Sequence, residues 1–290
     1  MLVPTNWKDY ELLDAGDGMR LERWKDFIFA RPDPIALWPK SFSENEWQKA
    51  DAYYIRSKTG GGKWHFRKEL PEKWVMGYQD LKFWVRPTGF KHMGLFPEQA
   101  VNWEWMAYKI QNAKGKMQNS NLKFKILNLF AYTGGATVAC AKAGAEVTHV
   151  DSAKGMVAWA KENCALNKVG ARYIVDDVIK FVEREKRREN RYDAIIMDPP
   201  SYGRGTEGET WKIETMIWPL VKSCLALLSE QPLFFLFNSY TTGLSPTVME
   251  NILYASMKNY AGKISSGELG LKMTGSGLDL QAGVFGRWEV

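Results

Sequence analysis

Cysteine is scarce, with three in 290 residues, and none shows the close Cys/His spacing that metal sites use. Cys140, Cys164 and Cys224 all fall in segments with a helical pattern, so burial is their expected fate and no metal is expected. Long hydrophobic runs are missing too. No stretch approaches the ~18 apolar residues of a membrane span, and the start MLVPTNWKDYELLD has no signal-peptide core. The expectation is a soluble, cytoplasmic protein with no membrane partner. What remains is ordinary for a globular chain, 45% hydrophobic and 25% charged, and long enough for two domains. The net charge of +6 is uneven: between Lys58 and Lys91 there are eight Lys or Arg against three acids. Such an excess favours an anionic partner or a solvated face.

The first ninety or so residues hold seven of the thirteen tryptophans, short apolar runs such as FIFA and KFWV, and turn signals such as RPDP and TGGGK. They predict a small β-rich, barrel-like domain over 1–96. Residues 97–122 begin with a proline suited to a first helical turn and carry Val101, Trp105, Tyr108 and Ile110 at roughly helical spacing, which predicts a connecting helix. From 123 to 290 strands and helices alternate. FKILNLF, AEVTHVD, ARYIVD, YDAIIMD and PLFFLFN are strand candidates, and the helical stretches between them include the long segment ETWKIETMIWPLVKSCLALLS. KISSGELGLKM and DLQAGVFGRWEV, joined by TGSG, predict an antiparallel C-terminal hairpin. The fold class is therefore α/β, a mostly parallel seven-stranded sheet with a small β-rich domain in front.

Ligands of open α/β sheets bind outside the carboxyl ends of the strands. Those ends carry NLFAYTGGAT, then Asp151 with Ser152, Asp176 with Asp177, and Asp198 before two prolines. The first loop lacks the G-x-G-x-x-G spacing that seats a pyrophosphate, since Gly134 and Gly135 are adjacent. Its glycines would let the backbone approach a ligand, or simply turn the chain into a helix. Asp151 can accept from both hydroxyls of a ribose and Asp177 from an adenine amino group, while Asp176 caps the next helix or merely neighbours it. Carboxylates without a phosphate cradle suit a cationic adenosine, and S-adenosylmethionine fits.

NLFAYTGGATVACAKAGAEVTHVDSAKGMVAWAKENCALN, followed by VDDVIKF and MDPPSYGRG, resembles class I S-adenosylmethionine-dependent methyltransferases. The likeness is to the DPP-motif group that modifies large-subunit ribosomal RNA, and it extends over roughly residues 89 to 240. It implies a Rossmann-like methyltransferase fold whose cofactor contacts are Phe130, Tyr132, Thr133, Gly134, Gly135, Asp151, Ser152, Asp177 and Asp198. GFKHMGLFPEQ, residues 89–99, is similar to a second element of the group that borders the cofactor pocket. It implies Gln99 at the cofactor and Lys91 and Phe96 toward substrate. The chain departs after Gln99, where Ala100 replaces the basic residue of that element. His92 reads as a base or, in preference, as a partly buried structural histidine.

The stiff DPP segment would fix acceptors at the mouth of the cleft: Asp198 and the carbonyls of Pro199 and Pro200. Ser201 continues this catalytic segment, and the Tyr202 ring offers a surface for a base. Methylation at carbon 5 of cytosine needs a cysteine nucleophile, which relatives carry after the fifth strand. Here LFNSYTTGLS offers Asn238 and Ser239 at that place, so a nitrogen or oxygen is the expected target. The expected substrate is RNA, ribosomal by resemblance, with KTGGGKWHFRK mixing cations and aromatics as single-strand surfaces do. A protein or metabolite methyltransferase and a non-catalytic RNA-binding module are the alternatives.

Overall fold

The computed structural model describes residues 1–57, 61–116, 123–204 and 210–290. Residues 58–60 of KTGGGKWHFRK, residues 117–122 of the expected connecting helix, and residues 205–209, at the end of MDPPSYGRG and the start of ETWKIETMIWPLVKSCLALLS, lie outside them.

Two compact units emerge, one formed by Met1–Val101 with Leu269–Ala282, the other by Asn102–Glu268 with Gly283–Val290. In the first, β1 (Tyr10–Gly16), β2 (Met19–Trp24), β3 (Phe27–Pro32), β4 (Ala52–Arg56) and β5 (Gly62–Phe66) form one sheet in that order. Neighbours are antiparallel except β3 and β4, which run parallel. The crossover between those two carries the short helix α1 (Glu44–Trp47), started by a reciprocal Ser43–Glu46 capping box. β6 (Trp74–Tyr78) and β7 (Leu81–Val85) make a separate antiparallel ladder. Trp24, Phe29, Tyr78 and Phe83 are fully buried here. Of the seven N-terminal tryptophans none is exposed; all are buried or half-buried, so they pack the unit.

Glu22 is buried among cations, within 2.5 Å of the Arg31 guanidinium and 3.5 Å of Arg20, and accepts from the Tyr10 hydroxyl at 2.7 Å. Burial alone would push its carboxyl up, but Arg20 and Arg31 bring it down from 4.5 to about 2. A depressed carboxylate contributes stability that is complete above its unfolded value and lost as pH falls through the folded one. Thermal melts between pH 5 and pH 2 are expected to show roughly 2 kcal/mol of acid sensitivity that Glu22→Gln abolishes.

The second unit holds the seven-stranded sheet. Its strands are β8 (Lys125–Leu129), β9 (Glu146–Asp151), β10 (Arg172–Val175), β11 (Ala194–Met197), β14 (Phe234–Ser239), β15 (Lys263–Lys272) and β16 (Asp279–Glu289). They lie in the order β10-β9-β8-β11-β14-β16-β15. The first five are mutually parallel and β16 is antiparallel to β14. All four residues of β11 are buried, as a strand covered on both faces requires. One cover holds α3 (Gly135–Lys142) and α4 (Lys154–Leu166), packed on each other and on β9. Another cluster joins Phe181 of α5 (Val178–Arg187), Leu220 and Val221 of α6 (Ile213–Leu225) and Leu253 of α7 (Pro246–Ser256) to Leu127, Ile195 and Phe235 of the strands. α5 buries Val178, Phe181, Val182 and Glu185, one stripe at helical spacing.

Three details differ from the sequence expectation. Pro97 opens a 3-10 turn, Pro97–Gln99, before helix α2 (Ala100–Gly115) begins. Thr210–Lys212, expected to open a helix, forms strand β13 paired with β12 (Tyr202–Arg204), because cross-strand bonds outweigh local helical preference. The outer part of the C-terminal hairpin clusters with the first unit: Met273 bridges Leu12, and the Thr274 and Gly275 N–H groups donate to the carbonyls of Leu12 and Leu13. A Cβ on Gly275 would stand 2.6 Å from that Leu13 oxygen, so this approach requires glycine.

Candidate functional site

The pairing registers bring the strand ends of the second unit level. Leu129 pairs with Val150 and with Met197, Asp151 pairs with Val175, and Met197 pairs with Phe237. Asp151 and Asp198 therefore lie two strands apart along one rim, on the order of 10 Å. The chain order reverses between β8 and β11, which makes their gap the switch point where α/β sheets bind ligands.

The loop after β8 is strained. Phe130 and Tyr132 sit in the left-handed region at φ 53° and 50°, followed by Gly134 at 84°, and such positions in non-glycine residues cost of order 1 to 3 kcal/mol each. Asp151 holds the loop in place. One carboxylate oxygen accepts from the Tyr132 N–H at 2.8 Å and the other from the Ala153 N–H at 2.8 Å. Burial pushes this carboxyl up while the two N–H groups oppose the shift. The buried Asn163 amide adds a bond to the Thr133 carbonyl at 2.8 Å. Beneath the loop, Asn128 donates to Thr137, whose hydroxyl meets His149 Nδ1 at 2.9 Å. Burial lowers His149 to about 4, which keeps it neutral.

The two glycines serve packing. A Cβ on Gly134 would stand 2.9 Å from the Ala160 Cβ of α4, and one on Gly135 would stand 2.9 Å from Trp103.

Beyond β10, the helix cap is Asp177 and not Asp176, the cap that the sequence suggests. The Asp177 carboxylate accepts the Lys180 N–H at 2.9 Å, while Asp176 pairs with Arg184. A capping carboxylate uses one oxygen and leaves the other for a further donor. Ser152 is exposed.

After β11, Asp198 is half-buried, Pro199 buried and Pro200 exposed. The Pro200 carbonyl accepts the Trp211 indole N–H at 2.6 Å. It is not the open acceptor that the sequence suggested, because β13 returns the buried Trp211 ring onto the DPP turn. That ring also meets Phe130 with centroids 5.4 Å apart. Trp211 thus touches both the glycine loop and the DPP turn, a role hidden while residues 209–229 read as one helix. The Ser201 and Thr241 hydroxyls are 2.7 Å apart, and the Tyr202 ring is 52% exposed.

Asn238 and Ser239 at the end of β14 are buried. Asn238 accepts from the Asn102 amide at 2.9 Å and the Ser239 hydroxyl accepts from the Thr241 N–H. The three cysteines are free and buried on α3, α4 and α6. Burial pushes all three thiols up, away from the thiolate that a nucleophile needs.

Lys91, Phe96 and Gln99 belong to the first unit. Lys91 Nζ donates to the Pro32 carbonyl at 3.1 Å, and burial, with Arg20 and Arg31 nearby, lowers the ammonium to about 8. His92 rests against Phe96 and is lowered by burial and Arg31 to about 3, so it is a neutral ring at physiological pH. Gln99 is buried within the 3-10 turn. An open cavity of about 430 Å³ lies at the opposite, amino ends of β8 to β10, lined by Lys125, Glu146 and Arg172 among others. It is far from the aligned acids.

A rim of carboxylates, a loop running into the N-terminus of α3 and no pyrophosphate cradle suits S-adenosylmethionine by charge and hydrogen-bonding capacity. Comparisons with known proteins agree. A family model described as S-adenosylmethionine-dependent methyltransferase matches residues 63–220, more than half of the chain. A ribosomal RNA large subunit methyltransferase K/L of Shewanella baltica (strain OS155) is 31% identical over 214 residues, 71% of this chain and 27% of its own length. The protein of that name from Shewanella frigidimarina is 34% identical over 153 residues, 51% of this chain and 20% of its own. The chain therefore spans between 20% and 27% of these two curated relatives. The crystal structure of a SAM-dependent methyltransferase from Agrobacterium tumefaciens matches at TM-score 0.91 and 36% identity, covering 99% of this chain and 92% of that one.

Proposed function

Since the chain belongs to the S-adenosylmethionine-dependent methyltransferase family, we propose that it methylates a base of ribosomal RNA by direct in-line transfer without a cysteine nucleophile. The observation that carries this proposal is the level rim of Asp151 and Asp198 on either side of the switch point, with no described thiol beside it. The printed names of the ribosomal RNA methyltransferase relatives support the substrate class.

When bound, S-adenosylmethionine supplies a methyl group on a sulfonium that leaves as a neutral thioether. Asp151 accepts from the ribose hydroxyls through lone pairs not taken by Tyr132 and Ala153. The free oxygen of Asp177 accepts from the adenine amino group. The loop from Phe130 to Gly135, with Ser152, completes the cofactor contacts of this unit. Asp198 and the Pro199 carbonyl accept from a target amino group and aim its nitrogen lone pair along the line of transfer, with Pro200 and Ser201 holding the segment. Tyr202 stacks on the target base.

Radiolabelled methyl transfer to large-subunit ribosomal RNA from cells lacking the protein is the test, read by mass spectrometry of nucleosides. Label appearing only in protein or small molecules would replace the RNA assignment. Trp211→Phe keeps the ring against Phe130 but removes the bond to Pro200. We expect methyl transfer about three- to tenfold slower with cofactor affinity intact, since a neutral hydrogen bond is worth about 1 kcal/mol. Equal rates in single-turnover assays would make that bond merely structural.

A further inference from the structure

With its tryptophans turned into the core, the first unit presents a different set of rings. β4 and β5 pair so that Tyr53 faces His65 and Ile55 faces Lys63, and alternation puts these four side chains on one face at the sheet edge. The Tyr53 and His65 rings stack with centroids 5.2 Å apart at 13°, and the Arg67 guanidinium stands 5.1 Å over the Tyr53 ring. Lys63, His65 and Arg67 are exposed, and Ile55 keeps 49% of its surface in water. The acid nearest in sequence to Tyr53, Asp51, already accepts from the Ile28 N–H and pairs with Lys68 at 3.0 Å. No ion pair holds Lys63 among the described residues.

Resting on the ribosomal RNA reading above, we propose that this β4–β5 face binds single-stranded RNA. The exposed His65 ring, backed by Tyr53, takes an unstacked base, while Lys63 and the guanidinium N–H groups of Arg67 not donated to the Gln48 carbonyl meet the phosphates. A flat exposed ring beside cations matches single strands, whose bases offer their faces, whereas a duplex hides them. The charge complements a polyanion, and the surplus of cations in this part of the chain points the same way.

The test uses the full chain and fluorescence anisotropy with a labelled single-stranded oligo-RNA, repeated on that strand annealed to its complement. Lys63→Gln/His65→Ala should bind the single strand about tenfold more weakly. The slope of log affinity against log salt should be shallower by about 0.7 for the lost cation. Melting temperature and calorimetric S-adenosylmethionine binding should stay as in the wild type, because both side chains project into solvent. The charge-matched control Lys222→Gln, exposed in the other unit, should bind like the wild type. A wild type that binds RNA and a double variant that binds it equally well would overturn the surface alone. Equal losses in the control would overturn it too, and a wild type without RNA affinity would remove the ribosomal RNA reading along with it.

Discussion

Asp198→Ala is expected to lower the rate of methyl transfer by about 10²- to 10³-fold while changing S-adenosylmethionine affinity little, the range for losing a group that acts chiefly in the transition state. The side chain follows a fully buried four-residue strand and precedes a buried proline, so the backbone that carries it is fixed from both sides. Its loss removes an acceptor for the developing charge on the target nitrogen without freeing the turn, because Trp211 and the Ser201–Thr241 contact still hold it. Asp198→Asn keeps an oxygen in place and should recover part of the rate. Single-turnover assays at saturating cofactor separate the two variants. An alanine enzyme of normal rate would remove Asp198 from the chemistry.

Asp151 should show the opposite split. Alanine there is expected to weaken cofactor binding by about 1.5 to 3 kcal/mol, roughly ten- to hundredfold, as charge-assisted bonds to ribose are lost. The same carboxylate bridges the Tyr132 and Ala153 N–H groups, which sharpens the expectation for asparagine. An amide has a single oxygen and can satisfy only one of those donors, so Asp151→Asn should bind about as poorly as alanine despite its matching size. Calorimetry gives the affinity and a thermal melt separates it from unfolding. Wild-type affinity in both variants would mean that ribose is held elsewhere.

Features that depend on neighbours along the chain were legible in the sequence. The five parallel strands, the helices between them and the acids at their ends follow from alternation and from where apolar runs stop. Features set by distant partners were not. Nothing local reveals that Trp211 leaves a helical pattern to pair with Gly203, or that it then occupies the Pro200 carbonyl. Nor does anything local reveal that Gly134 and Gly135 also let Ala160 and Trp103, residues from other elements, pack closely against the loop. Asp176 and Asp177 are adjacent and chemically alike, so only the turn into α5 decides which one caps it. The N-terminal tryptophans mark a small β-rich domain in the sequence, and their burial shows that they pack it.

The hairpin strands donated to the first unit carry a consequence for biosynthesis. Residues 1–101 emerge from the ribosome well before residues 269–282, whose backbone bonds to Leu2, Leu12 and Leu13 complete that unit. The amino-terminal sheet cannot reach its finished state during translation of its own codons. It must wait, partly formed, while the whole α/β segment is synthesised, an interval of about 10 to 35 seconds at about 5 to 20 residues per second. Emergence of residues 269–290, rather than of the N-terminal residues, then sets the moment at which each unit can be completed.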